Sequence, residues 1–110
     1  MPSAEDFAAI DIRVGTILAA YPFPEARKPA IKLTLDFGPE IGIRRSSAQL
    51  TVHYTPEQLV GRQVVAAVNL GTRRIAGYES QVLVLGALPA EGEVVLANLD
   101  QAVANGTRIG

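Results

Sequence analysis

The sequence predicts an all-β fold: a small five-stranded barrel with a short N-terminal helix, a second short helix between strands three and four, and an extra strand at the C-terminus. Three observations carry that expectation. Short apolar runs recur along the chain, and glycine or proline separates them. One run, Ile31 to Phe37, alternates strictly between apolar and polar residues. Helix-start patterns occur at only two places, Ser3 and Thr55, and both open short segments. With 110 residues, the chain suits one domain spanning its whole length, with one core and one functional surface.

Ser3 with Asp6 forms a capping-box pattern, and Phe7 and Ile10 follow at helical spacing, so Ser3 to Ala9 reads as the first helix. Ile12 to Ala20 is the first strand, with Gly15 expected at a bend or bulge. Tyr21 to Pro29 carries three prolines and reads as a loop displaying Phe23, Arg27 and Lys28. The second strand is Ile31 to Phe37, with Ile31, Leu33, Leu35 and Phe37 on one face and Lys32, Thr34 and Asp36 on the other. Gly38-Pro39 ends it. Gly42 to Tyr54 supplies the third strand. Thr55 to Gly61 reads as a capped helix, with Thr55 as N-cap, Pro56 at the first position and Gly61 past the end. Gln63 to Leu70 and Gln81 to Leu85 are the fourth and fifth strands, joined by a loop containing Arg73, Arg74 and Tyr78. Val94 to Leu99 is an apolar run without alternation, which implies burial on both sides. Asn105-Gly106 marks a turn.

That order of strands around one helix is the order of an OB-fold. Such barrels bind ligands across strands two and three, between the loop joining strands one and two and the loop joining strands four and five. The chain's most polar stretch falls there. In Gly42 to Tyr54, Arg44 and Arg45 supply planar, permanently charged donors, and Ser46, Ser47 and Gln49 supply short groups that donate and accept. Net charge is only −1, yet from Arg27 to Arg74 eight basic residues face three acids. The middle of the chain is therefore basic between acidic ends, the distribution an anionic ligand requires. Lys32, Arg44, Arg45, Ser47 and Gln49 on the strands, Phe23, Arg27 and Lys28 on the first loop, and Arg73, Arg74 and Tyr78 on the second form the candidate binding surface. Asn69, Ser80 and Gln81 lie beside the second loop, where they suit either ligand contact or capping of the loop backbone.

Other chemistry finds little support. Without cysteine there is no disulfide, thiolate nucleophile or thiolate-held metal. His53 is the single histidine and has no triad context; Glu91 and Glu93 read as a solvated turn; no glycine-rich phosphate loop is present. No enzyme activity, cofactor or metal is expected. Glu5, Asp6 and Asp11 occupy the place of a positive leader, and no apolar run approaches membrane-spanning length, so a cytoplasmic protein without membrane insertion is expected. Apolar residues make up 48% and charged residues 19%, a surplus that suits a subunit interface or an apolar groove.

Five segments also carry a resemblance covering nearly the whole chain: Asp11 to Ile17, Lys28 to Gly38, Gly42 to Thr51, Val68 to Gly86 and Val94 to Asp100. They closely resemble the CsaA family of export-related bacterial chaperones, within the wider tRNA-binding-domain family found on aminoacyl-tRNA synthetases and as free-standing proteins. The resemblance implies a cytoplasmic OB-fold homodimer that binds unfolded or precursor proteins and the secretion motor SecA, on a fold that also binds tRNA. It implies a dimer built from the N-terminal helix and the last apolar runs. The chain departs from the broader family in two places. Phe23-Pro24-Glu25-Ala26-Arg27-Lys28 replaces a His-Pro-x-Ala-Asp-like loop, and Ser80-Gln81-Val82-Leu83 replaces Ser-Gln-Gly-Met. A peptide-binding chaperone and an RNA-binding module using the same basic face are the two functions that follow.

Overall fold

The computed structural model describes residues 1–110. Helix α1 (Ala4–Ala8) opens the chain, and Ser3 and Asp6 close the expected capping box: Ser3 N–H donates to Asp6 Oδ2 at 2.8 Å and Asp6 N–H to Ser3 Oγ at 3.2 Å. There follow β1 (Ile12–Pro22), β2 (Ile31–Asp36), one helical turn α2 (Gly38–Ile41), β3 (Ile43–Ala48), α3 (Pro56–Leu59) and β4 (Gln63–Ala67). The remaining strands are brief: β5 (Arg73–Ile75), β6 (Tyr78–Ser80), β7 (Leu83–Val84), β8 (Gly86–Ala87), β9 (Val95–Leu96) and β10 (Arg108–Ile109).

The main sheet runs β3-β2-β1-β4-β7, every pair antiparallel, with β10 added to β1. Its terminal strands β3 and β7 are therefore parallel, and the sheet curls until they face each other. A short bridge joins them: Gln81 N–H donates to Arg45 C=O at 2.8 Å, and Ser46 Oγ donates to Val82 C=O at 3.0 Å. The result is a nearly closed five-stranded barrel of the OB type. Its core holds the alternating apolar set of β2, Ile31, Leu33 and Leu35, with Phe37, Ile17, Leu50, Leu59 and Val64. Each such side chain contributes roughly 1.5–3 kcal/mol through burial. Leu59 of α3 enters this core; Gln58 Oε1 accepts from the Thr55 N–H at 3.0 Å to start the helix, and Gly61 ends it at φ +90°.

Several elements differ from the sequence reading. β1 runs on through Tyr21 and Pro22, where Pro22 pairs with Ile31 at the strand's end, a position that tolerates a missing N–H. Its bulge lies between Ile17 and Ala19 rather than at Gly15. Gly15 instead makes room for the core: a Cβ there would stand 2.6 Å from the Phe37 ring. β3 stops at Ala48 because Leu50 turns inward to full burial, its N–H donating back to Ala48 C=O at 2.9 Å. β4 ends at Ala67, and the stretch before β7 contains the unforeseen β5–β6 hairpin. Val94 to Leu99 is not a strand buried on both sides, since Leu96 is buried while Val95 is exposed. β10, also unforeseen, covers β1 beside Ile12 and Val14.

Candidate ligand-binding groove

The register between β2 and β3 divides the polar run of β3 between two faces. Arg45 stands opposite Thr34 and Ser47 opposite Lys32, while Arg44 pairs with Leu35 and Ser46 with Leu33. Residues directly opposite share a face. Arg45, Ser47 and Lys32 therefore look outward, whereas Arg44 lies on the side of the core residues and does not join its neighbour. Ser46, 1% exposed, is spent on the bridge to Val82.

The β5–β6 hairpin packs over this outer face. Its turn, Ala76-Gly77, has φ of +46° and +83°, the left-handed pair a tight antiparallel turn uses. Tyr78 donates its hydroxyl to Leu33 C=O at 3.1 Å and meets the Phe23 ring edge-on, centroids 5.5 Å apart. Lys32 Nζ stands 5.2 Å from the Phe23 centroid and 5.5 Å from that of Tyr78, and Arg45 lies 5.3 Å from Tyr78 on the cation-to-centroid line. Burial pushes the Tyr78 phenol above its ordinary pKa, against the opposing pull of the Arg45 charge. Phe23, read from sequence as displayed, is only 4% exposed because Tyr78 covers it. These two rings bind each other and two cations, so neither presents a free face for stacking.

Glu79, which the sequence reading missed, ties the hairpin to the barrel. One carboxylate oxygen lies 3.3 Å from Arg74 Nη2 and the other 3.6 Å from Arg45 Nη2. Ser80 and Gln81 serve the barrel rather than an open surface. Ser80 Oγ accepts from Ser47 N–H at 3.0 Å, and Gln81 Oε1 accepts from Arg45 N–H at 2.9 Å. Asn69 is also engaged elsewhere, accepting from Asp11 N–H and donating to Ala9 C=O, each at 2.8 Å, which anchors the end of α1.

Beside the hairpin opens a groove of 780 Å³. Arg27 and Lys28 of the first loop and Arg73 and Arg74 of the hairpin stand on its rim, and Ser47 and Gln49 line the β3 side. Its floor is apolar, formed by Ala48, Ile75, Leu83, Val84, Leu85, Leu88 and Val94. Arg27, Lys28 and Arg73 pair with no carboxylate. Six of the residues singled out from the sequence thus meet in one place, while Phe23, Lys32, Arg45 and Tyr78 form the supporting wall of the hairpin. Leu88 and Val94 were missed because apolar residues after the last barrel strand carry no mark distinguishing floor from core. His53 lies outside the groove, its Nε2 2.7 Å from Glu93 Oε1, and fastens the Glu93 turn.

An OB barrel with a basic, apolar-floored groove at its strand-three edge defines a binding domain. The chain belongs to the family described as "Putative tRNA binding domain", whose model matches residues 12–108. It is 50% identical to the chaperone CsaA of Bacillus anthracis, with a TM-score of 0.95 over 100% of this chain and 99% of that one. The CsaA chaperone protein of Picrophilus torridus is 41% identical, with a TM-score of 0.91 and 100% of both chains covered. The methionine–tRNA ligase of Flavobacterium johnsoniae is 38% identical over 105 residues, which are 96% of this chain and 14% of the ligase. The chain thus spans about one seventh of the length of that curated relative.

Proposed function

We propose that this protein is an export-related chaperone that holds unfolded or precursor polypeptides in the groove between β3, β7 and the β5–β6 hairpin. The apolar floor beneath a cationic rim, of which Arg27, Lys28 and Arg73 pair with no carboxylate, is the observation that carries this reading. Such a floor suits exposed apolar side chains of an unfolded chain, and the rim suits their acidic neighbours. Arg27, Lys28, Ser47, Gln49, Arg73 and Arg74 are the contact residues in this scheme. The similarity to two CsaA chaperones over the full chain supports it.

The protein acts as a homodimer in the cytoplasm, with SecA as a partner in export. Support for the second copy comes from α1, which has no buried residue and leaves Phe7 exposed, with Ile10 just past its end exposed as well. A helix of five residues is not stable by itself in water. A protein surface covering that apolar side would hold it.

Binding of tRNA by the same basic face is the second reading, supported by the family model and by Lys32 and Arg45 beside the rim. Salt separates the two. Phosphate contacts release counterions, so RNA affinity falls steeply with salt, whereas apolar client binding weakens little. Affinities for tRNA and for a permanently unfolded protein are measured on one preparation across a salt series. The chaperone reading expects client binding that persists at high salt. Tight, salt-steep tRNA binding with no client binding would sink it.

A further inference from the structure

We infer that Asn105-Gly106 is a deamidation site that the folded barrel holds shut, so that conversion of the asparagine marks chains that have unfolded. An asparagine followed by glycine is the most labile of asparagine pairs, because glycine puts no side chain in the way of its own backbone nitrogen. The Gly106 nitrogen gives up its proton and attacks Asn105 Cγ; the N–Cγ bond forms, the Cγ–Nδ2 bond breaks, and Nδ2 leaves as ammonia. Water then opens the cyclic imide at one carbonyl or the other. The product is aspartate or isoaspartate, the latter with its main chain rerouted through the side-chain carbons.

The fold requires both members of this labile pair. Gly106 has φ +90°, and a Cβ there would stand 2.6 Å from the Phe37 carbonyl oxygen, so any side chain collides with backbone. Asn105 fills a polar junction between β1 and β4. Gln63 of β4 pairs its amide with both backbone groups of Val103, Nε2 donating to the C=O at 2.6 Å and Oε1 accepting from the N–H at 3.2 Å. That pairing decides which end of the Gln63 amide donates. Nε2 then also reaches Asn105 Oδ1 at 3.2 Å, and Thr16 Oγ1 of β1 donates to the same oxygen at 2.8 Å.

These contacts oppose the reaction at both of its atoms. Two donors from different strands hold Oδ1 and stop the amide from turning freely onto the Gly106 nitrogen. That nitrogen is itself engaged: its N–H donates to Val14 C=O at 2.7 Å, while Val14 N–H donates to Thr107 C=O at 2.9 Å, which extends the ladder between β1 and β10. Removing the proton there would set a nitrogen lone pair against a carbonyl oxygen. Arg13 Nη1 holds the Gly106 C=O from the other side, at 2.9 Å. Unfolding releases all of these together. An isoaspartate at 105 then adds a main-chain carbon just before Gly106, so Gly106 N–H no longer meets Val14 and the marked chain cannot rebuild the junction.

The test incubates the intact protein at mildly alkaline pH, folded in buffer or unfolded in guanidinium chloride, beside a synthetic peptide spanning Val103 to Arg108 under both conditions. Mass spectrometry of tryptic fragments follows conversion at each asparagine, with Asn69 and Asn98, both followed by leucine, as slow internal references. The expected result is conversion at Asn105 at the peptide's rate in the unfolded protein and at least about tenfold slower in the folded one, since reaction must await opening. Equal rates in the folded protein and the peptide overturn the lock, and no excess of Asn105 over Asn69 and Asn98 in the unfolded protein overturns the site. After dilution from guanidinium, isoaspartate is expected to concentrate in the fraction that fails to regain native circular dichroism. An equal share in refolded and failed fractions would show that the mark leaves folding untouched and would overturn that part of the inference.

Discussion

Glu79 sets the charge of the binding face. Its carboxylate draws Arg45 and Arg74 toward each other at 3.6 and 3.3 Å, half-exposed distances at which each pair stabilises the fold by less than about 1 kcal/mol. Glu79→Gln releases both guanidinium groups. The expected result is a two- to threefold gain, about 0.5 kcal/mol, in tRNA affinity at low salt with urea stability nearly unchanged. Filter binding checks it, and a loss of affinity would contradict the picture. Tyr78 acts differently, joining hairpin to barrel through its hydroxyl bond to Leu33. Tyr78→Phe is expected to cost about 1 kcal/mol in denaturant melts. The raised Tyr78 pKa means folding favours the protonated phenol. That contribution is complete below the ordinary value of 10.0 and fades as pH rises through the higher folded value. Alkaline melts should therefore narrow the gap between the wild-type protein and Tyr78→Phe; a gap that widens above pH 10.0 would overturn the assignment.

At the scale of elements, packing decides which glycines and loops matter. Gly15→Ala would bring a methyl within 2.6 Å of the Phe37 ring, which itself fills the core without exposure. The expected loss is about 1–3 kcal/mol, read as a shifted denaturation midpoint; an unchanged midpoint would show that Phe37 moves aside freely. The barrel strands were legible in the sequence because β2 alternates without interruption and α3 carries its cap, its proline and its terminal glycine in order. The basic loops were legible for the same reason, since strand order alone places them beside β3. The hairpin was not, because its turn begins with Ala76, a residue that gives no hint of φ +46°. Nor were the true tasks of Gln81 and Asn69, whose partners Arg45 and Asp11 lie 36 and 58 residues away along the chain. Polar side chains beside a basic loop look like ligand groups until those distant backbone partners appear.

For the molecule as a whole, nearly neutral net charge conceals a directional field. The four rim cations stand over an apolar floor on one side, so reversing Arg27, Lys28, Arg73 and Arg74 to glutamate should abolish binding of acidic clients and of tRNA together. Pull-down of both ligands by the variant checks this; retention of either separates that ligand from the groove. Such reversal does not tell attraction by the rim from grip by the floor, and the floor is what makes the groove a holder of unfolded chains. Leu88 offers a clean probe, since it lines the groove yet is 75% exposed, and its change to aspartate should leave melting nearly untouched. The most direct measurement is light scattering of a chemically denatured reporter diluted into wild-type protein or Leu88→Asp. Suppression of aggregation by the wild type, lost in the equally stable variant, is the predicted result. Equal suppression by both, or none by either, would contradict a polypeptide-holding groove at this site.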